Sequence, residues 1–153
     1  MTYDPTAVYR TAQVATSSPV GQVVLLYEGA IRFAALSVTS LERGDREAAH
    51  TASLRAQAIV GALRESLDLS QGDVAQRLDS LYAFMGRRLV AGNVAKDPQP
   101  AREVIVLLRD LLAAWRSISA PRATQPAAPA VAPPRSAAPG VPGLYRTGLT
   151  GAA

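Results

Sequence analysis

The feature that most constrains this chain is a repeat of apolar residues at alternating spacings of three and four. It recurs in four segments of roughly 20 residues each. This spacing places apolar side chains on one face of an α-helix, whereas a half-buried strand would alternate apolar and polar residues. No segment alternates in that way. Because the connections are short, neighbouring helices should be antiparallel, so the sequence predicts an all-α fold, an antiparallel up-down four-helix bundle.

The ends of the four helices carry recognisable start and stop residues. Ser17 and Ser18 precede Pro19, a typical first helical residue, and Gly44 is suited to end that helix. Asp45 should cap the second helix, the third should run over residues 73–95, and the Asp-Pro pair at 97–98 should begin the fourth. The predicted buried stripes are Val20, Val24, Tyr27, Ile31, Ala34, Val38 and Leu41; Ala49, Ala52, Ala56, Ile59, Leu63 and Leu67; Val74, Leu78, Leu81, Met85, Leu89 and Gly92; and Val104, Leu108, Leu111, Trp115 and Ile118.

Composition divides the chain into three parts. Residues 1–16 form an N-terminal arm without long periodicity, residues 17–118 form the bundle, and residues 119–153 form a tail rich in Ala, Pro and Gly. Such a composition buries too little apolar surface to offset the entropy of ordering, so the tail is expected to be disordered. Residues 145–147 repeat the Tyr-Arg-Thr of residues 9–11, but a three-residue match is unsurprising in a chain of this length and bias.

The residue inventory excludes several kinds of chemistry. The chain has no cysteine and one histidine, His50, so it offers no thiol nucleophile, disulfide or cysteine-ligated metal. Glu47 and His50 have the Glu-x-x-His spacing of di-iron bundles, but that site needs a second such motif. The sequence therefore predicts no enzyme, no metal site and no cofactor.

Charge and hydropathy bear on partners and compartment. The net charge is +4, but the bundle segment is near neutral and its charges are interspersed, so nucleic-acid binding is not expected. The N-terminus has no basic and apolar leader, and the densest apolar run, residues 23–27, is too short to span a bilayer. We expect a cytoplasmic protein without membrane insertion.

The chain has more apolar residues, and more glycines within helices, than the core of one small bundle needs. Four glycines lie inside predicted helices: Gly29, Gly61, Gly86 and Gly92. Each glycine lowers the stability of its helix by on the order of 1 kcal/mol relative to alanine. Such a glycine is explained either by close packing of two helices or by a place on the floor of a groove for a partner helix. Leu26, Phe33 and Leu36 form a second apolar set on the first helix. That set fits a wide core, an oligomer or a bound partner helix.

Three segments carry a resemblance to a known family. The first is Tyr9 followed by residues 13–19 (QVATSSP) and 26–33 (LYEGAIRF), the second is residues 81–89 (LYAFMGRRL), and the third is residues 104–115. In order and spacing they resemble the FliS-type flagellin-specific export chaperones, the flagellar secretion chaperones. The Ala/Pro-rich tail departs from that pattern.

The resemblance implies a function as well as a fold. It implies a cytoplasmic bundle that binds the C-terminal segment of flagellin, prevents its premature polymerisation and delivers it to the flagellar type III export apparatus. The client would fold into helices along apolar grooves, part of which the arm can occupy. Components of the export gate would be further partners, and the chain would be a monomer or weak dimer.

Particular residues are expected to contact the partner. They are Tyr9 and Val14 in the arm, Leu25, Leu26, Gly29 and Phe33 on the first helix, and Tyr82, Met85 and Gly92 on the third. Arg87, Arg88 and Asn93 are expected to set polar register or to be structural. The alternative is a structural helical dimerisation or adaptor module, in which the additional apolar faces would meet another copy of the chain.

Overall fold

The computed structural model describes residues 19–119 and Tyr145. Four helices follow in chain order: α1 (Pro19–Glu42), α2 (Arg46–Glu65), α3 (Asp73–Ala95) and α4 (Gln99–Ser119), with a 3₁₀ turn at Leu69–Gln71 between α2 and α3. The prediction of an all-α four-helix bundle is confirmed. The arm, residues 1–16, and the tail apart from Tyr145 lie outside the described residues.

The helix ends follow the chemistry of their capping residues. The Asp45 carboxylate accepts a hydrogen bond from the backbone N–H of Ala48 (3.0 Å), which satisfies a donor in the first turn of α2. Gly44, just after α1, has φ of +78°, a conformation that a side chain would strain. Asp97 accepts from the N–H of Gln99 (2.9 Å), so α4 begins one residue after Pro98.

The helices form a closed ring in which each one packs against two neighbours. Helix α1 contacts α2 and α4, and α3 contacts the same two helices from the other side. Ion pairs show which helix ends lie together: in the first half of α1, Glu28 pairs with Arg116 near the end of α4 (2.6 Å). Glu42, the last residue of α1, pairs with Arg102 near the start of α4. One end of the bundle therefore holds the first residues of α1 and α3 and the last residues of α2 and α4. We call it the Leu67 end.

The interior follows the predicted stripes in part. Some buried residues belonged to no predicted stripe: Val23, Ala30, Val60, Ile105 and Leu112. Some predicted residues in mid-helix are only partly buried: Val24, Ile31, Ile59, Leu81 and Leu111. Val74 in the first turn of α3 is 58% exposed and Ile118 in the last turn of α4 is 50% exposed, so their predicted burial is wrong. At the start of α3 it is Ala75 that is buried, three residues before Leu78 on the same face. The buried face of the first turn of α3 therefore passes through Ala75 and not through Val74, a difference of one residue that periodicity alone does not reveal.

Helix α1 is long and apolar enough, by length and composition, to cross a membrane. Its buried residues, among them Val23, Tyr27, Ala30 and Ala34, belong to the core that the four helices share. A core helix of a soluble bundle meets the same criterion.

Candidate partner-binding surface

Three aromatic side chains from three helices meet inside the bundle. Tyr27 of α1 and Tyr82 of α3 share a hydrogen bond between their hydroxyl groups, and their ring centroids lie 6.2 Å apart. Trp115 of α4 lies 6.5 Å from the ring of Tyr27. All three are buried, so each phenol needs a polar partner within the protein.

Tyr145, from the tail, completes this cluster. Its hydroxyl lies 2.7 Å from that of Tyr82, and its ring centroid lies 5.7 Å from that of Trp115. Its backbone forms an antiparallel bridge with Leu67, just after α2, and 5% of the residue is exposed. We call Leu67, Tyr82 and Trp115 the tyrosine socket. The composition of the tail did not predict this contact.

Burial keeps the three phenols neutral. Desolvation is the largest cause that raises the pKa of Tyr27, Tyr82 and Tyr145 above the ordinary value of 10.0. For Tyr82, the proximity of Tyr145 and Tyr27 raises the pKa further. Each hydroxyl therefore keeps its proton and can act as a donor at neutral pH.

An open apolar groove lies between α2 and α3. Its walls include Val60, Ala83 and Val90, and its floor includes Gly61 and Gly86. A Cβ added at either glycine would meet no atom within 4 Å, which means that both glycines face open space rather than a neighbouring helix. We call this the glycine groove; its charged lining residues are Arg64 and Arg87.

A second groove lies on the other side of α2, against α1. Phe33 and Leu36 line its α1 wall, and Arg55 lines its α2 wall. Leu36 is 47% exposed, and the guanidinium of Arg55 lies 5.4 Å from the centroid of the Phe33 ring. We call this the Phe33 groove. Asp45 and Glu47 also line it, so helix α2 has a groove with apolar residues along each side, and the groove against α1 is the more acidic of the two.

The structure separates the predicted contact residues by burial. Leu25, Leu26 and Phe33 are half-buried on α1 and keep some surface. Gly29, Met85 and Gly92 are buried. Tyr82 is 1% exposed, but it lines the glycine groove together with Gly61 and Gly86. Tyr9 and Val14 lie outside the described residues.

The two buried glycines allow close packing. A Cβ at Gly29 would lie 3.2 Å from Cδ1 of Ile59 on α2. A Cβ at Gly92 would lie 2.9 Å from the carbonyl oxygen of Asp97 in the α3–α4 turn. The structure therefore gives Gly29 and Gly92 a packing role, and the open floor belongs to Gly61 and Gly86.

The three polar residues predicted to set register have different surroundings. Arg88 pairs with Glu103 of α4 at 2.7 Å. The side-chain amide of Asn93 donates to Nδ1 of His50 on α2 at 2.9 Å. Arg87 lines the glycine groove instead. Arg88 and Asn93 thus connect neighbouring helices, which leaves Arg87 as the one of the three at a candidate binding surface.

Sequence reasoning missed Tyr145, and among the four glycines it named Gly29 and Gly92 as partner contacts, whereas Gly61 and Gly86 are the two that face open space. The Tyr-Arg-Thr repeat at 9–11 and 145–147 was the available signal for Tyr145. No sequence signal distinguished Gly61 and Gly86 from Gly29 and Gly92, because the difference is the distance to a neighbouring helix.

Fold and surface together define a class: a small helical-bundle protein with open apolar grooves. Among residues 19–119 and Tyr145 no group of three or more His, Asp or Glu side chains could hold a metal ion. The family model of the flagellar protein FliS matches residues 2–122. The chain belongs to the FliS family.

Individual relatives agree with this assignment. The flagellar secretion chaperone FliSB of Pseudomonas aeruginosa is 34% identical over 109 residues, which cover 71% of this chain and 86% of the relative. The flagellar secretion chaperone FliS of Salmonella typhimurium is 34% identical over 108 residues, covering 69% and 80%. That of Vibrio cholerae is 31% identical over 108 residues, covering 70% and 79%.

Proposed function

We propose that this chain is a flagellar export chaperone that binds the C-terminal segment of flagellin in the cytoplasm, prevents premature polymerisation and delivers the subunit to the type III export apparatus. Membership of the FliS family supports the chaperone role. The observation that carries the binding proposal is the pair of apolar grooves along α2, one with an open glycine floor. We propose no catalytic activity and no cofactor.

The grooves offer what an amphipathic client segment needs. A helix laid in an apolar groove buries its apolar stripe, which is then no longer available for self-association. Gly61 and Gly86 would let the backbone of such a helix come close to α2 and α3, since neither carries a side chain that fills the space. Val90, 46% exposed, would gain an apolar neighbour. Folding of the client on binding costs ordering entropy, which keeps the affinity moderate and permits release without nucleotide hydrolysis.

We place the client contact differently from the sequence-based prediction. Leu25, Leu26 and Phe33 remain candidates on α1 because they keep exposed surface. On α3 we propose Gly86 and Arg87, because Met85 is buried. Export gate components remain proposed further partners.

The first experiment asks which part of flagellin is bound. The tagged full chain is incubated with intact flagellin and with flagellin that lacks its C-terminal segment, and the bound fraction is compared. The proposal requires recovery of the intact protein and loss of the shortened one. Equal recovery of both would contradict it.

The second experiment tests the groove with a matched pair of variants. Gly86→Leu puts a side chain into open space on the groove floor and should reduce flagellin recovery about tenfold. Ala114→Leu adds the same side chain at an exposed position of α4 and should leave recovery unchanged. Circular dichroism verifies that both variants fold. Equal recovery with the two variants would place the client elsewhere.

Light scattering distinguishes a chaperone from a dimerisation or adaptor module. We expect the chain without flagellin to be a monomer or weak dimer. A tight dimer that forms without flagellin would favour the adaptor alternative.

A further inference from the structure

The tyrosine socket holds a residue that the sequence separates widely from the helices. Tyr145 lies 26 residues after Ser119, yet it is 5% exposed and bonded to Tyr82. The socket recognises a phenol hydroxyl through Tyr82, a ring through Trp115 and a backbone through Leu67. Recognition thus involves main chain as well as side chain, as when an extended peptide segment binds.

The sequence contains a second segment with the same three residues. Of the five tyrosines, Tyr9 and Tyr145 are each followed by Arg and Thr. Tyr27 and Tyr82 belong to the bundle interior, and Tyr3 is followed by Asp and Pro. Residues 9–11 can therefore offer the socket the same phenol and backbone groups that Tyr145 supplies, followed by the same two residues.

Chain length permits the earlier segment to reach the socket. Tyr9 lies ten residues before Pro19, and ten extended residues span up to about 33 Å. Helix α1 begins at the Leu67 end of the bundle, the end at which Tyr145 pairs with Leu67. Tyr27, the hydrogen-bond partner of Tyr82, lies eight residues beyond Pro19, about 12 Å along the helix.

We propose that the tyrosine socket is a binding site for Tyr-Arg-Thr segments, and that residues 9–11 and 145–147 are alternative occupants of it. Because Tyr145 is almost completely enclosed, the socket has room for one phenol at a time. Two tethered segments then compete at high effective concentration, and removal of one increases occupancy by the other. The proposal does not depend on the identity of the client.

Disulfide trapping tests the competition in the full chain. The protein has no cysteine, so an introduced pair is unambiguous. Leu67 and Tyr145 form an antiparallel bridge, and in an antiparallel pair the residue after one partner faces the residue before the other. Ser66→Cys with Arg146→Cys is therefore expected to form a disulfide readily. Ser66→Cys with Arg10→Cys should form one slowly, and about fivefold faster when Tyr145→Ala is added.

Controls separate specific docking from random collision. Ser66→Cys with Arg135→Cys measures the rate for a tail position outside both motifs. Adding Tyr9→Ala to the Arg10→Cys, Tyr145→Ala chain should return its rate to that baseline. A rate for Arg10→Cys that does not respond to Tyr145→Ala overturns the proposal, provided circular dichroism shows that the helices persist.

A peptide titration needs no variant of the protein. Trp115 is the single tryptophan, so its emission reports on the socket. Peptides of residues 6–14 and of residues 142–150, each with a terminal dansyl group that accepts tryptophan emission, should displace Tyr145 when in excess and quench the emission of Trp115. The same labelled peptides with alanine for tyrosine should not. A response to the 142–150 peptide alone, or to neither, overturns the proposal.

Discussion

The hydroxyl groups of Tyr82 and Tyr145 share a hydrogen bond of 2.7 Å across 63 positions of sequence. Tyr82 also shares a hydrogen bond with Tyr27, so it stands at the centre of a row of three buried phenols. The row connects α1, α3 and the tail, and the stability of the bundle and the docking of the tail therefore depend on common atoms. The effect of a substitution at Tyr145 can therefore be measured as a change in the stability of the bundle.

Removal of the Tyr145 hydroxyl should have a smaller effect than removal of its ring. We expect Tyr145→Phe to lower the free energy of unfolding by about 1 kcal/mol, the usual contribution of one hydrogen bond. Tyr145→Ala also loses the burial of the ring against Trp115 and should cost about 2 kcal/mol or more. Urea denaturation followed by circular dichroism measures both. Because residues 9–11 are the proposed second occupant of the socket, both variants are made in a chain that also carries Tyr9→Ala. Equal stability of that chain with and without Tyr145→Ala would show that the socket contact contributes nothing in solution.

Alkaline pH should destabilise the protein through the same phenols. Burial raises the pKa of Tyr27, Tyr82 and Tyr145 above 10.0, so the folded protein holds three protons that the unfolded chain releases. Their contribution to stability is fully present below pH 10 and is lost as pH rises above it. The slope should approach about 1.4 kcal/mol per pH unit for each tyrosine.

Tyr82→Phe provides the control for this pH dependence. It removes one of the three protons, so its stability should fall less steeply above pH 10 while showing the same profile between pH 6 and 9. Urea denaturation at a series of pH values gives the slopes. A free energy of unfolding that stays constant well above pH 10 would contradict the burial of these phenols.

Much of the fold follows from local chemistry that a sequence displays. Asp45 and Gly44 have the capping geometry that their residue types favour, and the 3–4 spacing placed Leu78 and Leu108 in the core. Such features depend on neighbours a few residues away. The exposure of Val74 beside the buried Ala75 depends on which face of the first turn meets a neighbouring helix, and apolar spacing is compatible with either residue.

The candidate site was less predictable because it depends on distances between helices. Gly86 and Gly92 lie on one helix and look alike in sequence, but one faces open space and the other contacts the turn before α4. Tyr145 was obscured for another reason. Composition averages over the 35 residues of the tail, whereas one aromatic ring with a specific hydrogen bond is enough to bind a segment.

Substitution by alanine should change the stability of the protein in opposite directions at Gly86 and at Gly92. Gly86→Ala adds a methyl group to open space and removes a flexible residue from a helix, so it should stabilise the protein by about 0.5–1 kcal/mol. Gly92→Ala would place a Cβ 2.9 Å from the Asp97 carbonyl oxygen, and displacing that turn should cost about 1–3 kcal/mol. Thermal unfolding compares the two, and a stabilising Gly92→Ala would contradict the close approach of the turn.

Arg87 and Arg88 are adjacent in sequence and should differ in their effects. Arg88 pairs with Glu103 on α4, and both side chains are partly exposed, so Arg88→Ala should lower the free energy of unfolding by at most about 1 kcal/mol and leave flagellin recovery unchanged. Arg87 lines the glycine groove, so Arg87→Ala should leave stability unchanged and reduce flagellin recovery. Urea denaturation and pull-down of the same two variants provide both readouts. Reduced recovery with Arg88→Ala but not with Arg87→Ala would move the client from the glycine groove towards the α3–α4 face.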